Sequence, residues 1–171
     1  MATSDEQHAA PPRDEREGRG WFRGQRFRRA SGLAWRLWKR KESQLTLEER
    51  IEMVEAQIQF FIRTTGVDGG PTNNARALLA SYLEDADRWL EARVLREEVL
   101  DARRRNLGTE ESPTVTAELA LAVNLSHAGL NVDALPLALH AREGFRNLED
   151  RENSDLANDW VAFIRTSGGL E

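Results

Sequence analysis

The sequence predicts an all-α solenoid built from helical hairpins. Two observations carry this reading: apolar residues recur at helical spacing across residues 46–167, and residues in that stretch match at a fixed offset of 42. A third observation bears on function. The chain holds no cysteine and no recognisable catalytic pattern, which points away from chemistry and toward binding.

The first helix starts at Thr46. Thr46-Leu-Glu-Glu49 has capping-box spacing, in which the hydroxyl accepts from an early backbone N–H and Glu49 reaches back to the cap. Leu47, Ile51, Val54, Ile58 and Phe61 follow on one stripe, with Met53 and Ile62 widening it. The run stops at Gly66, and Gly69-Gly70-Pro71 marks a loop.

From there the sequence repeats. Gly66 and Gly108 are 42 residues apart, as are Pro71 and Pro113, Thr72 and Thr114, Leu79 and Leu121, Ala80 and Ala122, Leu83 and Leu125, Ala86 and Ala128, Ala92 and Ala134, and Leu95 and Leu137. At an offset of 41, Arg105-Asn106-Leu107 returns as Arg146-Asn147-Leu148. Each period reads as two helices. The first helices are expected at Pro71–Ala86 and Pro113–Ala128, since proline is tolerated in an opening turn. The second are expected at Arg88–Leu107 and Val132–Leu148, with Asn131 as an N-cap. The small residues Ala80, Ala86, Ala92, Ala122, Ala128 and Ala134 fall where antiparallel helices cross and let the backbones approach. A final helix, Ser154–Thr166, places Leu156, Trp160, Phe163 and Ile164 on one face and polar residues on the other, as a terminal cap requires.

The stretch Ala102–Leu135 resembles the 42-residue tetratricopeptide repeats of the kinesin light chain type. The matching positions are Leu107-Gly108, Thr114, Leu121-Ala122, Gly129 and Asp133-Ala134. The preceding period matches at Gly66, Thr72, Leu79-Ala80 and Glu91-Ala92. The resemblance covers 46–167 and implies a short right-handed solenoid of about two and a half repeats. It also implies a concave groove, lined by the first helix of each pair, that binds a protein or peptide. Groove positions carried across are Asn74, Ser81, Glu84 and Asp85 from one repeat, Thr116, Ser126 and His127 from the next, and Trp160 from the last helix. Acids, amides and hydroxyls there suit an extended basic or polar segment. The family's paired asparagines are replaced by Ala77-Leu78 and Leu119-Ala120, so its usual grip on a peptide backbone is not inherited. Asp87 stands where the family has a turn glycine.

The search for chemistry ends without a site. Gly66-Val-Asp-Gly69-Gly70 lacks the Lys-Ser/Thr of a phosphate-binding loop. His8, His127 and His140 have no partner at metal-ligand spacing. Glu48-Glu49, Glu97-Glu98 and Glu110-Glu111 read as polar faces or turns, and Arg103-Arg104-Arg105 complements a helix C-terminus. No enzyme activity and no cofactor is expected.

Charge divides the chain. Residues 1–42 carry 11 basic and 6 acidic side chains, whereas residues 43–171 carry 13 basic and 23 acidic. Residues 1–20 are polar, with Pro11-Pro12, and read as a disordered tail. Residues 21–42 read as a basic aromatic arm or a capping helix. Stretch 21–41 holds eight cations, three tryptophans and two phenylalanines. Trp21, Arg28, Arg29, Trp35, Arg36, Trp38, Lys39 and Arg40 are its candidate binding residues. That composition suits an anionic membrane surface, a protein partner, the chain's own acidic body or a repeat cap, with nucleic acid the least favoured. No apolar run approaches the roughly 20 residues that span a bilayer, and a cytoplasmic location is expected. So few repeats also raise self-association by stacking end to end.

Overall fold

The computed structural model describes residues 45–170, and these form six helices and no strand. The tail 1–20 and the arm 21–42, with all eight of its candidate residues, lie outside the described residues. In chain order the helices are α1 (Leu47–Thr65), α2 (Gly70–Asp85), α3 (Trp89–Leu107), α4 (Ser112–His127), α5 (Asn131–Asn147) and α6 (Arg151–Gly168). Each packs chiefly on the helices before and after it in the chain.

The period seen in the sequence is also the period of the backbone. α2 and α4 begin and end 42 residues apart, as do α1 and α3, and α5 begins 42 residues after α3. The capping box at Thr46 is complete: Glu49 N–H donates to Thr46 Oγ1 at 3.3 Å, and Thr46 N–H donates to Glu49 Oε2 at 2.7 Å. Pro71 and Pro113 each occupy an opening turn, where the missing N–H costs no helical bond.

Two kinds of connection alternate. The α1–α2 and α3–α4 loops begin at Gly66 (φ 85°, ψ 167°) and Gly108 (φ 101°, ψ 168°). That combination is essentially reserved for glycine. A Cβ there would meet nothing within 4 Å, so the requirement is one of backbone conformation and not of space. The α2–α3, α4–α5 and α5–α6 turns share a tighter pattern. Arg88, Leu130 and Asp150 N–H donate to Leu83, Leu125 and Phe145 C=O at 2.8, 2.8 and 2.9 Å. The middle residues Asp87, Gly129 and Glu149 all have positive φ.

Two expectations are corrected here. Asn131 opens α5 instead of capping it; Leu130 is the cap. Asn131 Oδ1 accepts from Ser126 Oγ at 2.9 Å, so its side chain is engaged with the preceding helix. The last helix starts at Arg151, three residues before Ser154, because Leu148–Asp150 adopts the tight turn and not a glycine loop. Asp150 then caps α6 by accepting from Asn153 N–H at 3.1 Å.

The core runs through the described helices as three clusters. One joins α1 and α2 to the start of α3, around Val54, Ile58, Leu79, Ala80, Leu83 and Ala92. A second spans α2 to α6, around Val99, Leu121, Ala122, Leu125, Ala138 and Ile164. The third seals the far end with Val115, Leu119, Phe145 and Ala157. Ala80, Ala92, Ala122 and Ala134 are fully buried at the helix crossings, whereas Ala86 and Ala128 are half-buried helix ends.

One position across each hairpin is charged. Arg76 of α2 bonds Glu98 of α3, Nε to Oε2, at 3.0 Å. One period later the carboxylate stands on the other helix of the pair, as Glu118 of α4 against His140 Nδ1 of α5. Glu118 is fully buried and also takes a 2.7 Å bond from Arg104 Nη2 of α3.

Candidate functional site

Each first helix has one least-covered stripe. On α2 it is Asn74, Leu78, Ser81 and Asp85; on α4 it is Thr116, Ala120, Val123 and His127. The members correspond pairwise at 42 residues, and their spacing of four, three and four keeps them on one helical face. Asn74 and Asp85 are exposed and the other six are half-buried. Leu78 and Val123 of the stripe also pack against the core, so the stripe is the least covered side of the two helices and not a bare one.

At the C-terminal end of α4 the stripe meets a row of aromatic rings. Trp89, the first residue of α3, stacks on His127 with centroids 4.5 Å apart and planes 18° apart. His127 in turn meets Trp160 of α6 edge-on at 5.5 Å and 70°. Trp160 packs edge-on against Phe163 at 5.5 Å and 85°. All four rings are half-buried. An imidazole held between two indoles makes a half-buried aromatic surface, chemically suited to aromatic side chains and to guanidinium or ammonium groups.

The residues expected in the groove divide into two groups. Asn74, Asp85, Thr116, His127 and Trp160 reach the surface, and His127 and Trp160 are brought into contact. Glu84, Ser81 and Ser126 are used internally. Glu84 accepts from Arg96 Nε at 3.0 Å and Nη2 at 2.7 Å, and from Asn124 Nδ2 at 2.9 Å. Ser81 Oγ accepts from Arg96 Nη2 at 3.1 Å and donates to the Ala77 carbonyl at 3.2 Å. Ser126 is buried and donates to Asn131. Together Glu84, Arg96 and Asn124 tie α2, α3 and α4 into one unit, and Asn124 also donates to the Trp89 carbonyl at 3.2 Å. The polar cluster thereby sets the height of Trp89 beside His127.

Trp89 was not among the expected groove residues. It belongs to a second helix, and the groove expectation drew on first helices and the last one. Its sequence signal is its place directly after the Ala86-Asp87-Arg88 turn, which carries the second helix's first side chain to the open edge.

Arg88 donates to Glu91 at 2.7 Å through both Nε and Nη2 and holds the Glu91 carboxyl below the usual range. No helix among the described residues is long and apolar enough to cross a membrane. Comparison with models of known protein families and with curated proteins finds no match for this chain.

Proposed function

We propose that the chain is a non-catalytic protein-interaction module, a short tetratricopeptide-like solenoid that receives an extended segment of a partner along the open stripe of α2 and α4. The observation that carries this reading is the continuity of that stripe with the Trp89–His127–Trp160 stack. Asn74, Asp85 and Thr116 offer polar contacts along the way. The partner segment that fits carries cationic and aromatic side chains: cations to meet Asp85 and the ring faces, aromatics to extend the stack. Helix-lined grooves of this sort recognise extended chains without a reaction, and fold alone does not name the ligand.

A displayed library of random peptides, selected on the immobilised full chain, tests the reading. Enriched peptides should combine Arg or Lys with Trp, Tyr or Phe. Their binding should fall at least tenfold, about 1.4 kcal/mol, in the His127→Ala and Trp160→Ala variants, with the helical circular dichroism signal retained. Peptides that bind these variants as well as the parent chain would remove the stripe from consideration.

A further inference from the structure

We infer, taking the α2–α4 stripe as the binding surface, that Arg103 forms an anion-recognising end of it and that the partner segment places a carboxylate there. The three consecutive arginines near the end of α3 are used differently. Arg104 Nη2 donates to the fully buried Glu118 at 2.7 Å, and Arg105 Nη2 lies 3.0 Å from Asp68 Oδ1. Arg103 pairs with no carboxylate among the described residues; its Nη1 donates to the Pro113 carbonyl, a neutral acceptor, at 2.7 Å. A guanidinium is effectively always charged and carries five N–H donors, so one neutral acceptor leaves most of its capacity unused. Arg103 is also half-buried, where an uncompensated charge is costly. Burial, with the charge of Arg96 adding to it, holds the guanidinium below its usual range.

Packing does not call for a cation at this position. One period earlier it is Phe61, and one period later it is Phe145, fully buried in the cluster with Val115, Leu119 and Ala157. The fold thus accepts an aromatic ring where α3 carries a charge. That charge lies beneath the stripe. Arg96 and Arg103 are two turns apart on one face of α3. Arg96 Nη2 meets Ser81 Oγ of the α2 stripe at 3.1 Å. Arg103 meets Pro113, which stands one turn before Thr116 at the head of the α4 stripe. Thr116 contributes a half-buried hydroxyl to that end, and Asn74 contributes an exposed amide from α2.

The ligand chemistry follows from the charge. One uncompensated cation calls for one negative charge, and residues 43–171 carry 23 acidic against 13 basic side chains. A singly charged carboxylate therefore fits better than a dianionic phosphate, and a guanidinium holds it through charge-assisted hydrogen bonds. The helix also sets a spacing. Pro113 and His127 are 14 residues apart on α4, about 21 Å along a helix axis. An extended chain covers that length in about six residues. The partner segment therefore carries its carboxylate about that far from the side chain that meets the Trp89–His127–Trp160 stack, which gives the segment a direction along the stripe.

Two measurements on the full chain test this. The first uses sodium acetate as the probe. The Arg103 Nε–H NMR signal, identified by its loss in Arg103→Phe, should move saturably with acetate and stay in place with sodium chloride of equal ionic strength. No movement with acetate, or a stronger response to inorganic phosphate, would overturn the carboxylate site. The second uses peptides with free C-termini, selected on the full chain from a random library. Enriched peptides should carry a carboxylate at the stated spacing from Arg, Lys or an aromatic residue. Removing it should weaken binding about tenfold, and have no effect in Arg103→Phe, or in Arg103→Gln should the ring perturb the circular dichroism. Asp→Asn or Glu→Gln exchange and C-terminal amidation, applied separately, tell a side-chain carboxylate from a chain-terminal one. Enrichment of cations and aromatics without a carboxylate would overturn the inference and leave the stripe reading in place. So would a carboxylate whose loss costs the same in the Arg103 variants. A saturable acetate response with no peptide enriched would place the failure in the stripe reading and not in Arg103.

Discussion

Arg96 of α3 and Glu84 of α2 form a two-pronged ion pair, with Nη2 to Oε2 at 2.7 Å and Nε to Oε1 at 3.0 Å, and their side chains are only 7% and 16% exposed. Removing one partner leaves a charge stranded beside the core. Glu84→Ala should therefore destabilise the protein by about 3 kcal/mol. The paired change Arg96→Met/Glu84→Leu should recover most of that loss. Chemical denaturation of the three proteins measures both effects, and recovery of less than half would show that the pair also has a structural role that apolar packing cannot replace.

Two equivalent threonines should respond differently to the same substitution. Thr72 Oγ1 donates to the Gly66 carbonyl at 2.8 Å and lies 3.3 Å from Thr65 Oγ1. Thr114, one period later and equally buried, has a hydroxyl with no hydrogen-bond partner. Thr72→Val should cost about 1 kcal/mol, whereas Thr114→Val should be neutral or stabilising. Thermal melts of the two variants decide the matter by the sign of their difference.

Backbone conformation predicts a contrast of its own. Gly66→Ala and Gly108→Ala place a side chain at φ 85° and 101° with an extended ψ, and each should cost about 1–3 kcal/mol. Asp87 has φ 58° without being glycine. Asp87→Gly should be tolerated, because relief of the left-handed backbone offsets the greater entropy of the unfolded chain. A large fall in melting temperature for Asp87→Gly would show that the carboxylate holds the turn.

Glu91 provides a titration test. Its hydrogen bond from Arg88 lowers the carboxyl pKa, so the folded state binds this proton less readily than the unfolded chain does. The stabilisation is present above the ordinary carboxylate range and is lost as pH falls through the lowered value. The pair is exposed and screened by salt. Carboxyl NMR should find the Glu91 midpoint low, returning to the ordinary range in Arg88→Ala and in high salt.

Much of the architecture was legible because it rests on local signals repeated at one offset. Glycines at Gly66 and Gly108, prolines at Pro71 and Pro113 and alanines at the crossings act within a turn or two of where they stand. The partners of polar side chains were harder to read. Glu84 sits on the polar side of a helix in sequence, but Arg96, twelve residues on, and Asn124, forty residues on, converge on it only after folding. Ser126 reads as surface for the same reason, until Asn131 closes over it. The early start of α6 was hidden because Glu149 adopts positive φ without the glycine that would advertise it. The sequence reading expected both His127 and Trp160 in the groove, but their contact depends on how α4 and α6 sit together, and Trp89 enters from a helix that the groove expectation did not cover.

In the Arg76–Glu98 pair the carboxylate stands on the second helix, and in the Glu118–His140 pair it stands on the first, so neighbouring hairpins are not interchangeable. Near-identical units can exchange partners while folding or between two copies of a chain. If α4 mated with α3 as α2 does, the buried Glu118 would face Glu98, two carboxylates where one cation is needed. If α2 mated with α5, Arg76 would face His140 with no carboxylate between them. Either mistake separates a carboxylate from its native partner. Placing the carboxylate on opposite helices of successive hairpins disfavours such mispairing.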